Sequence, residues 1–309
     1  MTNNRHYITG NGNIHDPAME NIIYRGVLTN IGELSFLAGD NGSRHLESEK
    51  IWSGYVTHWS GKMVCARRLP QKDYETGRPL LILWPDTPVA DTSLVELYFN
   101  ERLVKYPLSF LGHLAVLVNG KVFNFSHWMN ENEAMSPEEY FFRPALGEFA
   151  PDPVSGRDNT EDPQRPYYDK FGRLFMRTIH VLKISGLDTR RLSGFFFSEL
   201  EKIRSTPPNP KEPGKYRDFH ILTRSCATII RDGFQSLGFE KISGVFPRDL
   251  FVNMAYFFLK QLRQPNAQAS LHTLRQLQVP EAAPSAMPPL LNPRNSLRYR
   301  TLRKKYGAG

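Results

Sequence analysis

Apolar residues gather along this chain in short runs, separated by Gly-, Asn- and Pro-rich stretches. LLILWP (80–85) reads as a buried strand stopped by Pro85, and SLVELYFN (93–100) as another. HLAVLV (113–118), Asn119-Gly120 and KVFNFS (121–126) form the strongest short-range hairpin signal, two apolar runs around a two-residue turn. HVLKISG (180–186) continues the strand set. LSGFFFSELEKIR (192–204) then takes up helical periodicity, as does ATIIRDGFQSLGF after Cys226, with Ile229, Ile230, Phe234 and Leu237 on one face. FPRDLFVNMAYFFLKQLR (246–263) is a strongly apolar helix with Pro247 in its first turn, and core is the expected destination of its aromatics. The first fifty residues read as irregular or short-stranded, and the alternating aromatics of WSGYVTHWSGKM (52–63) suggest a strand pair. Two Pro-rich stretches, 150–166 and 205–214, read as surface loops. The order of elements is that of an α+β protein. It divides into an N-terminal extension (1–90), a central domain (91–263) and a C-terminal tail (264–309).

Charge adds information mainly about the tail. Residues 263–309 hold eight Lys or Arg against one Glu, a net +7, so the rest of the chain carries only +1 of the formal +8. This is not the broad basic face of a nucleic-acid-binding domain. With six prolines and the ending RYRTLRKKYGAG, the tail reads as a solvated extension suited to an anionic surface, and its removal is expected to spare the fold. The chain length of 309 residues, with 40% apolar and 23% charged residues, is that of a globular protein. No apolar run spans a bilayer, and the first residues lack the apolar core of a signal peptide, so the expectation is synthesis in the cytoplasm. Two cysteines, Cys65 and Cys226, are too few for a disulfide framework.

Cys226 stands where an extended segment gives way to a helix. There its sulfur meets unpaired backbone N–H groups at the positive end of the dipole, with Arg224 and Arg231 nearby, and both features favour thiolate. A thiol nucleophile needs an imidazole, and the imidazole an orienting group. His113 opens the hairpin after Gly112. The two-residue turn pairs Val118 with Lys121, which sets His113 opposite Ser126 and puts Asn124 and Ser126 on its face; His127 joins them only if the strand bends. His45 and His58 precede the central domain, and His180 and His220 read as core or edge histidines on strands. No cysteine or histidine spacing suggests zinc, no acidic loop matches a calcium hand, and no glycine loop cradles phosphate, so no cofactor is expected.

GHLAVLVNGKVFNFS followed about a hundred residues later by FHILTRSCATIIRDGF resembles the circularly permuted papain-like superfamily. That group includes permuted NlpC-type enzymes, the lecithin:retinol acyltransferase group and the lipoprotein intramolecular transacylases. ILTRSCATIIR is similar to the "LL-x-x-NC-x-T-x-x-R" of the transacylase-like branch, with Ser225 in place of Asn before the cysteine. The resemblance covers roughly 90 to 262. It implies an antiparallel sheet packed on helices, Cys226 as nucleophile, His113 as base, and His127 as third member, with Asn124 the alternative. It further implies helix-start amides around Ser225 and Ala227 as oxyanion support. The implied activity is acyl hydrolysis or transfer on membrane phospholipid esters, with aromatics at 141, 142, 195–197 and 256–258 forming a lipid-facing mouth. The rival activity is amide hydrolysis in peptidoglycan or protein, and the third reading is a non-catalytic binding module. A hydrolase of this superfamily without a signal peptide also resembles antibacterial effectors, implying a specialised secretion system, a target-cell envelope and a cognate immunity protein.

Overall fold

The computed structural model describes residues 22–72, 78–86, 94–104, 109–127, 131–143, 172–209, 212–216, 218–261, 267–280 and 282–306. The 150–166 loop lies outside the described residues. Secondary structure is mixed α+β, and every strand pairing in it is antiparallel.

The first part of the chain is a folded sheet rather than a loose extension. Strands β1 (Tyr24–Ile31), β2 (Leu34–Ala38), β3 (Arg44–His45), β4 (Met63–Lys72) and β5 (Pro79–Pro85) pair in the order β3-β2-β1-β4-β5. Helix α1 (Ser53–Trp59) lies where aromatic alternation suggested strands. The spacing explains the correction: Trp52, Tyr55 and Trp59 are three and four residues apart, one helix face. The Tyr55 and Trp59 rings stack at 5.2 Å, and Trp52 meets Tyr55 edge-on at 5.2 Å.

The second sheet positions the candidate chemistry. It contains β6 (Val95–Asn100), β8 (His113–Val118), β9 (Lys121–Asn124), β10 (Glu133–Met135), β11 (Ile179–Ile184) and β14 (Ala269–Leu274), in the order β10-β9-β8-β6-β11-β14. Short strand β7 (Arg102–Leu103) pairs with β15 (Ser285–Ala286), and β12 (Pro208–Asn209) with β13 (Glu212–Tyr216) inside the second Pro-rich stretch. Helices α2 (Pro137–Phe142) and α3 (Arg173–Met176) stand between the sheets. Phe175 and Met176 are buried with Leu28, Leu37 and Tyr55, and Arg67 pairs with Glu139 at 3.0 Å. Helices α4 (Thr189–Ser205), α5 (Cys226–Ser236) and α6 (Pro247–Tyr256) bury Phe196, Ile230, Phe234, Leu250 and Met254 against Leu97, Phe99, Val116 and Phe123. Residues Phe257–Gln261 prolong α6 as a π-turn. Most of the aromatics expected at a lipid-facing mouth are in these cores: Phe196, Phe257 and Phe258 are buried, Phe142 packs on the first sheet, and of these five phenylalanines Phe197 alone is exposed.

The tail is the largest departure from expectation. Strand β14 pairs with β11 over six residues, Ile179 with Leu274 through Ile184 with Ala269. Helix α7 (Pro293–Tyr306) packs on α6 and buries Leu302 to 2% exposure. An edge strand buries only one face and leaves a weak apolar signature, which the prolines and basic residues hid. The anchor is one buried carboxylate: Asp249 accepts from Leu291 N at 3.0 Å, Asn292 N at 3.1 Å and Asn295 Nδ2 at 3.0 Å. A chain ending at residue 266 is therefore expected to lose its cooperative urea transition. In the full chain Asp249→Ala should cost about 2 kcal/mol, because the buried Asn295 amide and two part-buried backbone N–H groups lose their acceptor.

Candidate active site

The hairpin forms in the expected register. Val118 pairs with Lys121 and Ala115 with Asn124. Asn119 and Gly120 both take positive φ, 51° and 71°, as a tight turn of matching twist requires. Gly112, at φ 75°, lets the start of β8 close on its neighbour: a Cβ there would lie 2.6 Å from the Asn100 carbonyl oxygen.

Asn124 is the residue hydrogen-bonded to the His113 ring. Its Oδ1 lies 2.6 Å from Nε2, and its Nδ2 donates to the Glu131 carbonyl at 2.7 Å. The second bond fixes the first. A flipped amide would set oxygen against oxygen at Glu131, so Oδ1 faces the imidazole, and an oxygen can only accept. Nε2 therefore carries the proton and Nδ1 keeps its lone pair. The position anticipated for His127 is thus taken by the alternative, on plain strand register. The chain does leave the ladder after Asn124, but His127 turns to the loop before α5, its ring 5.5 Å from that of Phe219. Ser126, the other residue on the face, has its backbone N–H and carbonyl held by the Asn132 side chain at 3.0 and 2.9 Å.

Helix α5 begins at Cys226 because Ser225 caps it. Thr228 N donates to Ser225 Oγ at 3.4 Å while Ser225 N donates to Thr228 Oγ1 at 2.7 Å, a reciprocal box. The segment before it is a set of tight turns, with His220 bridged to Arg224, rather than an extended strand. The backbone N–H groups of Leu114, Ala227 and Cys226 itself bias the Cys226 sulfur towards thiolate. In a two-residue hairpin hydrogen-bonded pairs alternate from the closing pair, so Leu114 is next in line to meet Phe125. The pairing stops one step earlier, at Ala115 and Asn124, and the N–H of Leu114 is left to favour thiolate at Cys226. The residue following His113 thereby acts on the candidate nucleophile.

The electrostatics run against a resting thiolate. Burial pushes the Cys226 thiol up, outweighing the three N–H donors and the Arg177 guanidinium, which pull it down. Arg224 and Arg231 are engaged elsewhere, paired with Glu199 at 3.2 Å and Asp232 at 2.7 Å. Burial also lowers His113 to about 3, helped by Arg173 and Arg177 and opposed by Asn124 and Glu131. Neutral thiol and neutral imidazole are the forms that fit this site. The sign for stability follows: the contribution of neutral His113 is complete above its ordinary value of 6.5 and is lost as pH falls towards 3.

Four neighbours were not singled out from the sequence. Tyr140, from α2, feels the Cys226 charge and accepts from Asn100 Nδ2 at 2.8 Å; Asn100 also reaches the His113 carbonyl at 3.4 Å. Arg173 and Arg177 flank α3. The only sequence signal for them was their spacing of four before a strand. Cys65, in β4, donates to Asp86 Oδ1 at 3.6 Å, and burial and that carboxylate raise its thiol. No protein-family model matches the chain, and neither a curated protein nor a solved structure is significantly similar to it.

If Asn124 sets the tautomer, Asn124→Ala should lower kcat about 10²-fold with KM little changed, whereas His127→Ala stays within a few-fold. Steady-state kinetics of the two variants distinguishes the outcomes.

Proposed function

We propose that this chain is a cysteine-dependent acyl hydrolase or acyltransferase with a circularly permuted papain-like core, acting on ester bonds of membrane phospholipids. The observation that carries the reading is the pinned imidazole: Asn124 Oδ1 on Nε2, held by Glu131, which leaves Nδ1 to accept, with the N–H of the next residue favouring thiolate at Cys226. In this reading Nδ1 takes the thiol proton as the sulfur attacks the ester carbonyl. The C–S bond forms and the oxyanion is held by the amides at the open end of α5. Collapse breaks the C–O bond, and the imidazolium returns its proton to the departing lysophospholipid oxygen. Water, deprotonated by the same nitrogen, then releases the acyl group as a fatty acid and regenerates the thiol. Ser225 acts by holding those amides in place, and Ala227 supplies one of them.

A membrane substrate is supported by what surrounds the pair. Phe110, in the turn before His113, is 46% exposed; Ile221 and Leu222, in the turns before Cys226, are 47% and 49% exposed. Apolar side chains standing in solvent on both approaches suit an acyl-chain interface better than a polar glycan. Arg173 and Arg177 put positive potential at the pair, which suits a phosphodiester head group.

Mixed phospholipid vesicles and purified peptidoglycan, each incubated with the full chain, separate the readings by mass spectrometry. Lysophospholipid and fatty acid should appear, with an acyl adduct on Cys226. Cys226→Ala and His113→Ala should each remove turnover without unfolding the protein, and Cys65→Ser should leave it close to unchanged. Peptide fragments from peptidoglycan with intact lipid would replace the ester by an amide. Turnover in Cys226→Ala would end the cysteine mechanism.

A further inference from the structure

A cavity of about 290 Å³ lies among β14, α6 and α7, and none of its lining residues belongs to the Cys226 site. Its size is at the lower end of small-molecule pockets. One wall is a single face of α6, where Arg248, Phe251, Val252 and Ala255 follow at spacings of three and four. Arg248 stands in the first turn, and Ala255 lies about 10 Å further along the axis. Leu302 of α7 closes the apolar part. The wall is thus graded, charged at one end and aliphatic at the other.

The charged end has spare capacity for an anion. The Arg248 guanidinium lies 4.9 Å over the Tyr299 ring and donates to the Pro288 carbonyl, yet it makes no ion pair among the described residues. Burial holds it below the usual arginine value, so its charge stands only partly solvated. Arg275, at the exposed end of β14, has neither hydrogen bond nor ion pair among the described residues. The nearby carboxylate of Glu101 is already engaged, by His180 Nε2 at 3.0 Å and Ser285 Oγ at 3.0 Å. Thr273 Oγ1, 3.3 Å from His180 Nδ1, adds a hydroxyl to the same rim.

We propose that this cavity binds a single-chain aliphatic carboxylate, its chain along Val252 and Ala255 and its head between Arg248 and Arg275. The site is separate from Cys226 and stands whether or not that residue is catalytic.

Calorimetric titration of the full chain with carboxylates from hexanoate to dodecanoate, each below its micellar concentration, tests it. One saturable site is expected, tightening about fourfold per added methylene until the cavity is filled. Ala255→Phe, which fills the aliphatic end, should weaken binding at least tenfold. Arg275→Gln should weaken it about tenfold, octyl glucoside should bind far less tightly than octanoate, and Cys226→Ala should bind as the parent does. Should Ala255→Phe fail to fold, the exposed Arg275→Gln variant keeps the test decisive. Absence of saturable binding, indifference to the Arg275 substitution, equal affinity for the neutral amphiphile, or loss of binding in Cys226→Ala would each overturn the proposal.

Discussion

The hydrogen bond between His113 and Asn124 is the constraint on which the candidate site depends. It exists because a two-residue turn fixes the hairpin register, and register alone decides that Asn124 shares a face with His113. It has a direction because Glu131 accepts from the other end of the same amide. From that direction follows the tautomer of the ring, and from the tautomer the one nitrogen able to take a proton. The early end of the β8–β9 pairing belongs to the same design, since it leaves the Leu114 N–H to favour thiolate at Cys226. A turn of two residues thus reaches, through strand register, to the protonation state of an imidazole and the surroundings of a thiol.

Burial wins the electrostatic contest at this site. A helix N-terminus and adjacent cations favour thiolate, and that expectation is sound for an exposed cysteine. Here desolvation is the leading influence on both Cys226 and His113, and it favours the neutral form of each. Arg173 and Arg177 split their effect: Arg177 eases thiolate formation, and both oppose a charged imidazole. A neutral pair keeps the site compatible with burial at rest; in the acyl chemistry proposed for it, charge need appear only when a substrate excludes water and an oxyanion forms beside the helix amides.

Local signals were legible in the sequence wherever one element decided the outcome. Asn119-Gly120 gave the turn, the apolar runs gave β8 and β9, and the helical spacing of Ile229, Ile230 and Phe234 gave the helix that opens at Cys226. The α+β character followed from element order. Signals that depend on distant chain were hidden. The tail joins the second sheet through β14 on β11, and its later part is held by Asp249, buried and bonded to residues more than forty positions away. Helix α1 was read with period two although its aromatics fit three and four. Arg173, Arg177, Tyr140 and Asn100 come to the site from four separate places, and none has a pattern of its own. His127 was favoured by resemblance, while the register argument for Asn124 needed only the hairpin itself.

The account rests on the state of one imidazole. Long-range nitrogen–proton NMR on protein labelled with nitrogen-15 at histidine reads the tautomer and titration of His113 directly. The account predicts a neutral Nε2–H ring at pH 7 whose signals stay unprotonated well below 6.5, and a shift of tautomer population when Asn124 is replaced by Ala. A ring protonated at Nδ1, or an ordinary titration near 6.5, would contradict it.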